Sequence, residues 1–227
     1  MRITTIQSGS SGNSYVLTDN QNNSLILEMG LGTYETALVS VPDLAKISVG
    51  VYSHVHRDHF QDQAKWRGYA GIICTGPTWI EEGKQYNYGK NNEWSIIPIS
   101  VKHDVDCFSY FIKSNIENKT IYFATDTYDY SHIIGAMILD YALIECNHDE
   151  IMLKNGTYPD YLKKRVAQNH CSLQRCTKAV AKSKCQRFLL AHPSAHNINQ
   201  EAALQYLRNE FQNREFQFAR PGLTVDF

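Results

Sequence analysis

Short apolar segments bounded by polar residues in the first part of the chain predict β-strands. Residues 2–6 and 14–18 have this extended pattern, and residues 24–28 resume it after the Asn-rich turn at 19–23. Further apolar segments of strand length are found at 49–53, 72–74, 95–101, 107–113, 120–125 and 141–145. This part of the chain therefore predicts mainly β-sheet, with short helices at 33–40 and 60–66.

The last third of the chain shows helical spacing instead. Helices are predicted at 160–168, 172–183 and 199–211, with Ser172 and Asn199 as N-caps, and a buried strand at 187–192. Strand-rich halves that each finish with helices favour two packed sheets with helices outside. The expected fold class is α/β (α+β), in a single domain over residues 1–227.

Composition excludes several classes of protein. Twenty-two Lys and Arg against 23 Asp and Glu give a net charge of −1, which argues against a general nucleic-acid-coating protein but not against a local basic groove. No apolar run approaches the ~20 residues of a membrane helix, and the polar, Gly-rich start does not fit a signal peptide. Six irregularly spaced cysteines predict reduced thiols. We therefore expect a cytoplasmic protein.

The strongest chemical signal is the segment 53–59, with the sequence SHVHRDH. His54 and His56 are two residues apart, so they point the same way in an extended segment. Asp58 and His59 follow in a tight turn and face a second nearby point. Imidazole nitrogens with carboxylate oxygens suit zinc, manganese or iron. The spacing predicts two adjacent metal ions; the alternative is a solvated, His-rich loop.

Three later residues have the same chemistry. His103, Asp126 and His192 each follow an apolar strand. Taken alone, each is better explained as a hydrogen-bonded polar group at a strand end. Together with the histidine cluster, they predict the remaining ligands of a dinuclear site.

These motifs resemble the metallo-β-lactamase superfamily, whose His-x-His-x-Asp-His motif matches residues 54–59. The resemblance implies a four-layer αββα sandwich and two divalent metal ions, zinc or alternatively manganese. It also implies two ligand sets bridged by Asp126: His54, His56 and His103 for one ion, and Asp58, His59 and His192 for the other. One departure is Glu28, at a position where the superfamily usually has Asp; we expect the longer side chain to reach and brace the histidine loop.

Four further segments resemble the WalJ/YycJ branch of this superfamily: SGSSGNS at 8–14, ECNHD at 145–149, MLKNGTYP at 152–159 and NHCS at 169–172. Members of that branch are described as DNA exonucleases. The phage anti-Pycsar phosphodiesterases, which hydrolyse cyclic mononucleotides, share the same general pattern. The resemblance implies a phosphodiesterase that acts on a nucleotide, and a homodimer.

The identity of the substrate stays open at this stage. A compact, nearly neutral chain slightly favours cyclic mononucleotides, and hence immune evasion of the anti-Pycsar kind; the basic segment described below favours DNA. Hydrolysis of an ester, thioester or lactam is a further alternative, because a fold does not determine a function. A non-catalytic metalloprotein is disfavoured, since all seven ligands are present.

The expected chemistry is attack on phosphorus by a hydroxide that bridges the two metals, with Asp58 orienting it. The leaving oxygen then needs a proton. By analogy with ribonuclease Z-like relatives, His170 is the first candidate donor, and Glu145 would orient it. His148 is the second candidate; it is alternatively a partner of a metal ligand or a surface residue.

Substrate contacts are predicted at several loops. Ser10, Ser11 and Asn13 lie in a Gly-rich loop that either touches substrate or only connects two strands. Asn147 belongs to the ECNHD motif, and Tyr158 either stacks on a base or packs within its loop.

Arg165 lies in a basic segment, residues 154–187, which has nine Lys and Arg against one acid, Asp160. This segment either attracts a phosphate-bearing substrate or forms solvated helix faces.

Overall fold

The computed structural model describes residues 1–40, 46–70 and 73–227. Within these residues the strands are Arg2–Gln7 (β1), Ser14–Thr18 (β2), Ser24–Leu27 (β3), Ile47–Val51 (β4), Ile73–Thr75 (β5), Tyr86–Tyr88 (β6), Trp94–Val101 (β7), Cys107–Ser114 (β8), Lys119–Ala124 (β9), Tyr141–Glu145 (β10), Arg187–Ala191 (β11), Glu215–Phe218 (β12) and Thr224–Asp226 (β13). The helices are Thr33–Ser40 (α1), Arg57–Phe60 (α2), Gln63–Ala70 (α3), Glu150–Asn155 (α4), Asp160–Asn169 (α5), Leu173–Lys182 (α6) and Gln200–Glu210 (α7).

The strands form two mixed sheets. The first has the order β13-β1-β2-β3-β4-β5, and the second β12-β11-β10-β9-β8-β7-β6. Pairing in each sheet changes from antiparallel to parallel, at β3–β4 in the first and at β9–β10 in the second. The carboxyl ends of these parallel strands carry most of the candidate site.

The faces that the two sheets turn toward each other form one apolar core. Leu25 and Leu27 of β3 pack into it from the first sheet, and Ile121 and Phe123 of β9 from the second. Alternate residues of a strand point to opposite faces, so Ile26 belongs to a different cluster on the outer face. The two-residue period of the strand geometry therefore sets which side chains lie between the sheets.

Helices cover both outer faces. Ala37 of α1 and Trp66 of α3 pack on the first sheet. Cys176 and Val180 of α6, with Leu207 of α7, pack on the second. This is the expected four-layer αββα sandwich.

Most predicted elements are confirmed, but in place of the helix predicted at 60–66 the structure has two helices, α2 and α3. Ser172 caps α6 by accepting a hydrogen bond from the Arg175 N–H, and Asn199 caps α7 in the same way. The sequence reading missed the short strand β6 and the helix α4, whose N-cap is Asp149. Residue 72 of the strand predicted at 72–74 lies outside the described residues.

All six cysteines are free and buried, as expected. Among the described residues, there is no helix with the length and apolar character needed to cross a membrane.

Candidate metal centre

The candidate centre lies where several strands end at one edge of the sandwich. The segment 53–59 follows β4: His54 precedes the single helical turn α2, His56 is its N-cap, and α2 carries Asp58 and His59. His103, Asp126 and His192 follow β7, β9 and β11. Four strands thus deliver seven candidate ligands to one place.

Three residues at this edge have a left-handed backbone. The φ angles are 63° at Glu28, 49° at Asp126 and 52° at His192. Such values are uncommon for residues other than glycine and cluster at functional sites. Each of the three lies just after a strand, so the chain bends out of its sheet as it enters the centre.

The structure brings all seven predicted ligands together in two groups that share Asp126. The ligand atoms of His54, His56, His103 and Asp126 lie within 4.8 Å of one another. Those of Asp58, His59, Asp126 and His192 meet the same limit. A third group, made of Asp126, Glu145, His170 and His192, meets this limit too. The first two groups contain the residues of the two predicted sets; that each of them holds an ion, with Asp126 between the two, stays a prediction.

The chemistry of the donors fits divalent cations. The His54 Nε2 and the His56 Nδ1 are 2.9 Å apart, and the His103 Nε2 lies 3.3 Å from the same Nδ1. The buried Oδ1 of Asp126 receives no hydrogen bond from the described residues. Converging imidazole nitrogens around a carboxylate are typical of zinc or manganese sites.

Electrostatics in the centre holds the carboxylates ionised. Burial acts to raise the pKa of Asp126, but His192, His59 and His170 outweigh it and hold that pKa well below its usual range. Burial acts to lower the pKa of His192, yet Asp126, Asp58 and Glu145 raise it to about 10. Divalent cations would replace the protons that now balance these carboxylates, so metal binding should release protons.

Glu28 supports the histidine loop from behind. Its side chain is fully buried and accepts hydrogen bonds from the Ser53 N–H at 3.2 Å and the Thr125 Oγ1 at 3.0 Å. Its Oε1 also lies 3.3 Å from the His59 Nδ1. The longer Glu therefore reaches the loop that follows β4, as expected from the sequence.

We expect Glu28→Ala to lower the free energy of unfolding by about 3 kcal/mol, because it leaves three buried polar groups without their partner. Urea unfolding of the purified variant measures this. Glu35→Ala is the matched control, because the Glu35 side chain is 58% exposed and its ion pair with Lys65 contributes little. Equal stability of the Glu28 variant and wild type would contradict the bracing role.

His170 and Glu145 form a pair beside the centre. The His170 Nδ1 lies 2.7 Å from the Glu145 Oε1, while the other carboxylate oxygen accepts the Thr127 and Cys171 N–H groups. Burial acts to lower the pKa of His170, but the Asp126 and Glu145 carboxylates raise it overall. When protonated, an imidazole whose Nδ1 is held by Glu145 has its Nε2 left to donate a proton.

His170 and the centre share a cavity of about 360 Å³, and Glu145 is buried behind His170. Ser10 and Arg165, two of the predicted substrate contacts, line this cavity together with His170. Arg165 pairs with Asp104 at 3.3 Å, and the Asp104 Oδ1 lies 3.1 Å from the His103 Nε2. Sequence reasoning missed Asp104, although its place next to His103 was a signal for it.

Two predicted substrate contacts, Asn13 and Asn147, do not line this cavity. Asn13 is fully buried, and its Nδ2 donates to the Gly9 carbonyl and lies 3.2 Å from the His59 Nε2. Asn147 donates to the His192 carbonyl at 2.8 Å. Both amides are used in holding the ligand loops, so their assignment as substrate contacts is corrected.

Three further predicted residues lie away from this cavity. The hydroxyl of Ser11 accepts a hydrogen bond from Gln7, and the Tyr158 ring packs edge-on to His196. His148 is fully buried and lines a different cavity, on the other side of α5. Of the two candidate proton donors, only His170 therefore lies in the cavity of the metal centre.

The sequence was compared with family models and with known proteins. No family model matches the chain. Over 98% of its length the chain is 26% identical to the exodeoxyribonuclease WalJ of Streptococcus pneumoniae, and the match covers 90% of that protein. This match supports the WalJ-like branch that the motifs indicated.

Solved structures agree on the fold. The metallo-β-lactamase fold protein YhfI from Bacillus subtilis superposes with a TM-score of 0.76 at 15% identity, over 99% of this chain and 98% of that one. Zn(2+)-bound PqqB from Methylobacterium extorquens gives 0.73 at 12% identity, over the whole of both chains. The chain therefore has the metallo-β-lactamase fold.

Proposed function

We propose that this chain, with its metallo-β-lactamase fold, is a dinuclear metal-dependent phosphodiesterase that acts on nucleotides. The observation that carries the proposal is the pair of ligand groups sharing Asp126, with His170 in the same cavity and held by Glu145. Ligands for two cations next to a proton donor are what hydrolysis of a phosphodiester requires.

The residues of the chain divide this work among them. His54, His56 and His103 would hold one divalent ion, and the remaining ligands the other. When bound, two such ions supply charge neutralisation at the phosphate and lower the pKa of water. Arg165, at the cavity wall, adds positive charge for the substrate. His170 donates its Nε2 proton to the leaving oxygen, while Glu145 keeps the ring oriented.

The proposed substrate is the end of a DNA strand. The match to an exodeoxyribonuclease along nearly the whole chain supports this choice over the cyclic mononucleotide that the sequence slightly favoured. A cyclic mononucleotide is the second candidate, because a cavity of about 360 Å³ is in the size range of a small-ligand site. An ester, thioester or lactam substrate is disfavoured by the His170–Glu145 pair.

A substrate competition tests the proposal. Protein loaded with zinc or manganese is mixed with end-labelled single- and double-stranded DNA, and separately with cyclic CMP, UMP, AMP and GMP. We expect stepwise shortening of DNA. Turnover of the cyclic nucleotides with intact DNA would establish the second candidate, and neither activity in metal-loaded protein would overturn both. His56→Ala, which removes one ligand, is the control for each tube.

We also propose that the protein is a cytoplasmic homodimer. The free, buried cysteines suit a reducing compartment, and dimers are implied by the resemblance to WalJ-like enzymes. A monomer mass by light scattering at micromolar concentration would exclude the dimer. Fractionation of cells that produce the tagged protein tests the location.

A further inference from the structure

Helix α5 separates the catalytic cavity from a second one. Leu162, Arg165 and Val166 line the catalytic cavity. Asp160, Lys163, Lys164 and Ala167, spaced as one helical face, line a cavity of about 460 Å³ on the other side. We call this second space the α4–α6 cavity, because Lys154 of α4 and Arg175 of α6 complete its walls.

The α4–α6 cavity is basic. Lys154, Lys163, Lys164 and Arg175 face two acids, Glu150 and Asp160. Glu150 already accepts a hydrogen bond from the Ser172 hydroxyl at 2.7 Å. The Lys154 and Lys164 side chains are exposed. The charge therefore favours an anion, and it accounts for part of the basic segment that the catalytic cavity does not use.

Arg175 is held ready for such an anion. Its guanidinium lies 3.9 Å from the centre of the Tyr128 ring, which fixes the plane of the side chain. Its Nη1 is buried and donates to no acceptor in the part of the chain that the structure describes. Its Nη2 lies 3.9 Å from the Glu150 Oε1, while the N–H groups of Nη1 stay unused by the described residues; a guanidinium fixed in this way is suited to phosphate.

His148 adds a different kind of group. The side chain is fully buried, and its Nδ1 lies 3.3 Å from the Asn147 Oδ1. Because the Asn147 Nδ2 donates to His192, that Oδ1 accepts, so Nδ1 carries the ring proton. The Nε2 is left as an acceptor without a partner among the described residues. Because His148 lines the cavity, its ring nitrogens report on a ligand that enters it.

We propose that the α4–α6 cavity binds a phosphate monoester. The anionic oxygens would pair with Arg175, Lys154 and Lys164. A terminal monoester carries a charge of about −1.5 to −2 at neutral pH, more than the single charge of an internal phosphodiester, so the basic cavity selects the terminal phosphate. Neither ligand set of the metal centre includes these residues.

The α4–α6 cavity lies close enough to the metal centre for one DNA strand to reach both. Resting on the proposed function, we assign the monoester to the end of the strand whose scissile bond lies at the metal centre. The two cavities are separated by α5, and a helix with its side chains is about 10–12 Å across. A strand that crosses this helix would engage both sites, whereas a substrate with a single phosphate would engage only one.

A first experiment tests the site without catalysis. Inorganic phosphate is titrated into the metal-loaded protein while the imidazole nitrogen signals of His148 are followed by NMR. We expect the His148 signals to shift in wild type and to shift at tenfold higher phosphate in Lys154→Gln/Lys164→Gln. Lys178→Gln/Lys184→Gln, which removes two exposed charges of the same basic segment, is the control and should match wild type. Unchanged His148 signals in wild type would overturn the proposal.

A second experiment tests the link to the substrate. Oligonucleotides with a 5′-phosphate, a 3′-phosphate or only hydroxyl ends are compared with bis(4-nitrophenyl) phosphate. We expect one phosphorylated end to lower KM at least tenfold, the Lys154→Gln/Lys164→Gln variant to lose that advantage, and bis(4-nitrophenyl) phosphate hydrolysis to stay within twofold. Equal KM for all ends would overturn the assignment. Failure to cut DNA or bis(4-nitrophenyl) phosphate would instead count against the proposed function, while the phosphate titration would still decide the site.

Discussion

Asp126→Asn is expected to reduce phosphodiester hydrolysis by about 10³-fold or more, since a shared carboxylate positions both cations and their loss removes the electrostatic stabilisation of the reaction. Asp126 belongs to every group of ligand-capable side chains found in the described residues. The neutral amide keeps the shape but supplies neither a bridging charge nor the compensation that the surrounding imidazoles require. The bound metal should fall from two ions per chain to one or fewer, as measured by mass spectrometry of the eluted metal.

The control for this variant is Asp129→Asn, in the same connection after β9. Asp129 accepts hydrogen bonds from Ser131, so its loss should leave metal content and turnover near wild type. Circular dichroism of all variants checks that the sandwich is retained. If Asp126→Asn kept two ions and more than a tenth of the activity, the dinuclear proposal would fail.

His170→Ala is expected to slow the cleavage of DNA by about 10²–10⁴-fold, the usual contribution of a general acid. The DNA leaving group is an alkoxide and needs a proton, whereas 4-nitrophenolate is stable without one. Hydrolysis of bis(4-nitrophenyl) phosphate should therefore fall by less than tenfold in the same variant. Glu145→Gln should likewise slow DNA cleavage more than bis(4-nitrophenyl) phosphate hydrolysis, because it weakens the hold on the His170 Nδ1.

A purely structural role of His170 would lower the rates on both substrates equally, so the difference between the two losses of rate is the readout. His132→Gln, at an exposed position, is the matched imidazole control and should leave both rates unchanged. Equal losses on both substrates would show that His170 acts in binding or in metal retention and does not protonate the leaving group.

Local patterns were sufficient for most of the fold. Apolar segments bounded by polar residues predicted most of the strands, and the two-residue period of a strand then places Leu25 and Leu27 on one face and Ile26 on the other. Ser172 and Asn199 were identified as N-caps because their side chains satisfy orphan N–H groups nearby in sequence. The helix α4 was missed because it has only six residues, too few to establish a helical period.

The candidate ligands were also predictable, for a related reason. His54, His56, Asp58 and His59 are close in sequence, so their spacing alone indicates a metal site. His103, Asp126 and His192 were found because a polar residue after an apolar strand is itself a local signal. Neither prediction required knowledge of which strands are neighbours in the sheets.

Tertiary structure decided the roles of the residues around those ligands. Asn13 and Asn147 carry amides that suit a substrate, but burial and the packing of distant loops commit them to His59 and His192. His148 and His170 are 22 positions apart and were both candidate proton donors, with His170 ranked first; α5 places them in different cavities. The sequence by itself determined the strand periods, the helix caps and the ligand types, because these depend on neighbours along the chain. Only the packing of the two sheets and of α5 decided which groups share a cavity, because burial, charge and hydrogen bonding there come from residues far apart in sequence.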